Sequence, residues 1–332
     1  MRKHCDAGIG KIPRVAVLAS LISLMAFSTF GQGDSPRPPG TDDYRISVDV
    51  GLVVLPVVVT DGKGKAVTGL EKDGFQVFED GRPQQITFFV SEDVPVTVGL
   101  VIDNSGSMSA KRPEVIAAAE EFAKSSNPQD EMFVVNFNQS VSLGLPKGIL
   151  FTSDINQLRG AVSGHPAAGN TALYDGLAVA LDHMKKGSAI RKALIVISDG
   201  GDNASRLKLP ALLKRAEASN VQIYTLGVFD DRFAGENSGV LKRLAKVTGG
   251  QAYFPTSPSQ MKGICRQIAR TLRHQYTLGY HPRNSNSVGT FHAIRVTARA
   301  VREGRLHVST RAGYLMPSDA HMVPPPPAKA SL

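Results

Sequence analysis

Asp103, Ser105 and Ser107 occupy alternate positions in the stretch LVIDNSGSMS, with Gly106 between the two serines. One carboxylate and two hydroxyls, spaced two apart, are hard oxygen donors of the kind a small divalent cation takes. Gly106 lets the backbone turn sharply between them. A magnesium-type ion wants about six oxygens in near-octahedral array, more than one loop supplies. Two further segments offer the rest. GNTALYDG brings Thr171 just ahead of a helical pattern, and VISDGGDN brings Asp199 at the end of an apolar run. Each residue also has a plainer role. Asp103 and Ser105 are suited to capping a turn, Thr171 to capping a helix, and Asp199 to holding the turn in SDGG. Asp202 and Asn203, next to Asp199, either tune the site or merely solvate the loop. Asp175 reads as a helix-face residue.

The elements around these residues place them together. VPVTVGLVID, EMFVVNF, KALIVIS and VQIYTLGV are apolar runs of the kind buried on both faces in a parallel sheet, and SVSLGL suits an edge strand. Between them PEVIAAAEEFAKSS, TALYDGLAVALDHMKK, LPALLKRAEASN and GVLKRLAKVTGG show helical spacing, and SQMKGICRQIARTLR closes the series. This alternation predicts an α/β fold over 94–273, a doubly wound, mostly parallel sheet. Its right-handed crossovers put the strand-to-helix loops, and so all the candidate donors, on one edge.

Both flanks read as β. Residues 44–93 include a Val-rich strand from Ile46 to Thr60 and a hairpin in FQVFEDGRPQQITFF that turns at Asp80-Gly81; residues 274–316 hold three alternating strands. Neither flank is large enough to stand alone. The expectation is that they form one shared β-sandwich with the α/β domain inserted between them. Residues 32–43 are a Pro/Gly-rich linker, and 317–332 a Pro-rich tail.

Residues 1–31 have the form of an export signal. Lys11 and Arg14 precede an apolar run from Val15 to Phe30, with Thr29 and Gly31 at small-residue positions for cleavage. Left uncut, the segment would anchor the chain to a membrane. Of two cysteines, only Cys265 lies beyond it, in a helical pattern that suits a small buried apolar side chain. The net charge of +9 is spread along the chain, there is no Trp, and no stacking motif is evident, so nucleic acid is not an expected partner. No HExxH, Cys/His zinc spacing, P-loop or G-x-S-x-G occurs. His274, His281, His292 and His307 read as surface or packing residues. Asp103 as a phosphoryl acceptor, or Ser105 as an acyl nucleophile, lacks an evident base.

Taken in order, Asp103, Ser105, Ser107, Thr171 and Asp199 resemble the metal-ion-dependent adhesion site of von Willebrand factor A domains, whose pattern is Asp-x-Ser-x-Ser, a distant Thr and a distant Asp. The resemblance implies that Ser105 and Ser107 bind Mg²⁺ or Mn²⁺ directly. Thr171 would bind directly or through water, and Asp103 and Asp199 would stand behind waters. An Asp or Glu of a protein partner would fill the open position. The flanks VVVTDGKGKAVTGLEKDGFQVFEDGRPQQI and YTLGYHP…RAGYL are similar to bacterial exported proteins with a related domain. The expected role is metal-dependent protein binding or adhesion, periplasmic, cell-surface or secreted, without catalysis and without a small-molecule cofactor. The alternatives are a structural part of a cell-envelope assembly and, less well supported, a metal-dependent hydrolase.

Overall fold

A computed structural model describes residues 51–62, 65–229, 238–282, 289–300 and 306–315. The export signal, linker and Pro-rich tail, like the first residues of the Val-rich strand, lie outside the described residues. Among the described residues, no helix is long and apolar enough to cross a membrane.

The central sheet has six strands in the order β10-β9-β8-β5-β6-β7. β5 (Val96–Asp103), β6 (Glu131–Phe137), β8 (Arg191–Ser198), β9 (Gln222–Gly227) and β10 (Ala252–Tyr253) run parallel, and β7 (Val141–Leu143) lies antiparallel at the edge. Every residue of β5 is buried, as its nearly continuous apolar run requires at the middle of a covered sheet. Helices α1 (Arg112–Ser125), α2 (Ile155–Ser163) and α6 (Met261–Arg273) pack together in one group. α3 (Leu173–Met184), α4 (Leu209–Ala218) and α5 (Ser238–Thr248) pack in another. This is the doubly wound arrangement expected.

Helix α2 is an addition to the expected elements. Asp154 caps it, accepting from the N–H groups of Asn156 and Gln157, and it buries Leu158, Ala161 and Val162. Its nine residues carry too short a periodic pattern to stand out in sequence.

The flanks form two further sheets, ordered β13-β1-β11-β4 and β14-β12-β2-β3. The N-terminal flank supplies β1 (Val53–Thr60), β2 (Phe75–Glu79), β3 (Arg82–Gln84) and β4 (Phe88–Val90). The C-terminal flank supplies β11 (Tyr276–Tyr280), β12 (Phe291–Ala298), β13 (His307–Ser309) and β14 (Gly313–Leu315). Each sheet draws strands from both ends of the chain, so the shared sandwich is what folds. Val53, Leu55, Val57 and Val59 alternate into its core and meet Tyr276, Leu278 and Tyr280 of the antiparallel neighbour β11. GRLHVSTRAGY, expected as one strand, is two: β13 pairs with β1 while β14 pairs with β12. The hairpin turn falls at Asp80-Gly81, with φ of 48° and 77°.

Candidate metal centre

β5 ends at Asp103 in the middle of the sheet, where the chain leaves the strand for a loop. Asp103 is 2% exposed. Its Oδ1 accepts the Ser105 N–H at 2.8 Å, and its Oδ2 accepts the hydroxyl of Ser198, the last residue of neighbouring β8, at 2.6 Å. Burial pushes this carboxyl up to about 6, against the pull of those hydrogen bonds. Both oxygens are hydrogen-bonded beneath the loop.

Ser105 and Ser107 bring their Oγ atoms 3.1 Å apart, and Ser107 donates to Asp199 Oδ2 at 2.6 Å. Asp199 lies just past the end of β8, its other oxygen accepting the Gly201 N–H at 3.1 Å. Adjacent oxygens around an octahedral Mg²⁺ with bonds near 2.1 Å stand about 3.0 Å apart. The two serine hydroxyls already hold that separation, and the hard-oxygen donor set suits the ion. Asp103 and Ser105 are buried, Asp199 is half-buried and Ser107 is exposed, so the group opens to solvent on the Ser107 side.

Thr171 sits on the loop before α3. It is not the helix cap, which falls at Ala172 and has no side-chain bond. Asn203 grips it instead: Asn203 Oδ1 accepts the Thr171 N–H at 2.8 Å, and the N–H groups of Asn203 and Ala204 both donate to the Thr171 carbonyl, at 2.9 and 3.0 Å. Asp202 accepts from the Tyr174 N–H and the Ser205 hydroxyl, at 3.2 and 2.6 Å. Asp175, expected to lie on a helix face, accepts the N–H groups of Arg206 and Leu207 and so pins the Asp199 loop to α3. Gly106 N–H to Gly169 O at 3.1 Å and Ala168 N–H to Asn104 O at 2.8 Å tie the first loop to the second.

The supporting residues were not among the sequence candidates. Asn104, 1% exposed, donates to Asn136 Oδ1 at 2.9 Å, and Asn136 donates to the Ala161 carbonyl at 2.9 Å. Arg112 donates to Asn104 Oδ1 and to the Val162 carbonyl. One signal was legible: Asn136 interrupts an apolar strand, and a polar side chain inside such a run needs a buried partner.

Residues 98–201 match the family model described as von Willebrand factor type A domain. An uncharacterized protein of Synechocystis, sll0103, is 26% identical over 190 residues, covering 54% of this chain and 42% of that protein. The chain spans less than half the length of the curated relatives it matches. Among solved structures, BatB from Bacteroides thetaiotaomicron overlays with a TM-score of 0.43 at 20% identity, covering 53% of this chain and 98% of that one. The von Willebrand factor domain of the type V pilus tip protein Mfa5 from Porphyromonas gingivalis gives 0.45 at 17%, covering 54% and 95%.

Proposed function

We propose that this chain, which carries a von Willebrand factor type A domain over residues 98–201, is an exported protein that binds a protein partner through a divalent cation held at the rim of its sheet. One observation carries the reading. Two hydroxyls stand 3.1 Å apart beside Asp199 and above Asp103, a buried carboxylate whose own oxygens are already hydrogen-bonded. Ser105 and Ser107 hold the ion directly, with Thr171 completing the protein's share. Asp103 and Asp199 offset its charge from one layer out. With no carboxylate bonded directly, the ion keeps a surplus of positive charge at its solvent-facing position, and that position selects an Asp or Glu of the partner. The ion, Mg²⁺ or Mn²⁺, supplies the attraction for that carboxylate.

Ser107 is hydrogen-bonded to Ser105 and donates to Asp199. Two hydroxyls paired at 3.1 Å suit cation holding, and among the described residues no histidine is hydrogen-bonded to either, as acyl transfer by serine ordinarily needs. The form of residues 1–31 supports export.

The test is capture of partners from envelope extracts by the full chain in Mg²⁺, in EDTA, and with Ser105→Ala. Partners should be held in Mg²⁺, released by EDTA and restored by Mn²⁺, and Ser105→Ala should capture none. Capture that persists in EDTA refutes the proposal.

A further inference from the structure

The β2–β3 turn of the sandwich carries a second group of ionisable side chains, independent of the loops above. Glu79 ends β2 and Asp80 opens the turn. His292 lies on β12, which pairs with β2 so that Ile294 faces Glu79 across the ladder. One ligand atom from each of Glu79, Asp80 and His292 falls within 4.8 Å of the other two. His292 Nδ1 is 2.8 Å from Asp80 Oδ2 and 3.9 Å from Glu79 Oε1. Glu79 is 5% exposed and His292 6%, while Asp80 faces solvent.

Glu79 is the telling residue. Its Oε2 accepts the hydroxyls of Tyr280 and Tyr314, at 2.5 and 3.1 Å. Burial, and after it the Glu79 carboxylate, holds both phenols above their ordinary range, so they remain neutral donors. Its other oxygen, Oε1, lies 3.9 Å from the imidazole Nδ1 of His292. Arg311, buried beside Tyr314, stacks on that ring and donates to Asn220 instead. A carboxylate so deeply buried, with its Oε1 turned towards the imidazole, suits a positive charge beside it.

We propose that Glu79, Asp80 and His292 bind a zinc-type transition-metal ion through two carboxylate oxygens and one imidazole nitrogen. Four-coordinate zinc with bonds of about 2.0–2.1 Å places its ligand atoms about 3.4 Å apart. The observed 2.8 and 3.9 Å lie on either side of that spacing, so small side-chain rotations suffice. The exposed Asp80 side leaves the fourth position to water. A nitrogen among so few donors selects zinc over Mg²⁺, which wants about six oxygens. Against the Asp80 carboxylate, Nδ1 is the protonated nitrogen. Binding therefore releases that proton to solvent, and the freed lone pair forms the metal bond.

Zn²⁺ alone, titrated calorimetrically into the EDTA-treated and dialysed full chain, tests this. Wild type and Ser105→Ala should both bind zinc at the sandwich with the same affinity. His292→Gln and Asp80→Asn should each bind there at least tenfold more weakly. Asn tolerates the positive φ of position 80, so Asp80→Asn keeps the turn, and circular dichroism checks the fold. Co²⁺ in place of zinc should give the visible absorption of a four-coordinate ion in Ser105→Ala and lose it in Ser105→Ala/His292→Gln. Unchanged zinc affinity in both His292→Gln and Asp80→Asn overturns the proposal. So does loss of all zinc binding in Ser105→Ala, which places the ion in the metal loops.

Discussion

On the proposed function, Asp103 would link metal binding to stability through its charge. Its carboxyl ordinarily titrates at 3.8 and in the folded chain is raised to about 6 by burial. Between those values the folded state holds more protons than the unfolded state, so stability falls as pH rises through that window and stays lower above it. The gap is worth about 3 kcal/mol at about 1.4 kcal/mol per tenfold change in proton affinity. Asp130, also raised to about 6 by burial, adds a decline of the same sign that no metal at the loops affects. The proposed divalent cation over Asp103 would compensate the ionised carboxylate, and at a hundredfold excess over Kd it would add about 2.7 kcal/mol. Urea unfolding followed by circular dichroism, at pH 4.5 and pH 7.5, with EDTA or Mg²⁺, measures the effect; the chain has no Trp to report by fluorescence. In EDTA, wild type should lose about 2 kcal/mol more than Asp103→Asn between the two pH values, the remainder of the gap being lost already below pH 4.5. Mg²⁺ should recover most of that in wild type at pH 7.5 and nothing in the variant. Equal pH dependence of wild type and Asp103→Asn in EDTA would refute the reasoning.

Asn203→Ala removes the acceptor that holds the Thr171 N–H; Mg²⁺ affinity by calorimetry should fall about tenfold, the low end for loss of an outer partner of a metal ligand, while Mg²⁺-free stability changes little. Gly99→Ala should lower stability by about 1–3 kcal/mol in urea unfolding, because a Cβ there would stand 2.4 Å from the Phe133 ring and 2.6 Å from Leu194. Tyr280→Phe deletes a donor to buried Glu79 and should cost about 1–3 kcal/mol by the same measure.

Much of this was legible because it depends on local pattern. An apolar run such as VPVTVGLVID is buried on both faces wherever it lies, and parallel strands joined by helices deliver their loops to one edge. Asp103, Ser105, Ser107 and Asp199 therefore meet in the fold as their positions at strand ends implied. Thr171 reaches the same rim, but its anchor, the grip of Asn203 on its backbone, came from a residue that spacing alone could only call a neighbour. The supports Asn104, Asn136 and Arg112 come from three elements, and only one polar residue in an apolar strand hinted at them.

The sandwich was different in kind. Alternation marked its strands, but partners in antiparallel sheets are chosen by core packing between segments far apart in the chain. The split of the last strand into β13 and β14, on different sheets, leaves no trace in hydrophobic period. His292 reads as a surface or packing residue in sequence, yet pairing of β12 with β2 buries it beside two carboxylates more than two hundred residues away. The sequence by itself determined the sheet, its rim and which oxygen-bearing residues stand there, because strand burial and crossover handedness act locally. Only the tertiary structure decided which flank strands pair and which charges they bring together, because register is settled by contacts that exist only once both ends of the chain have met.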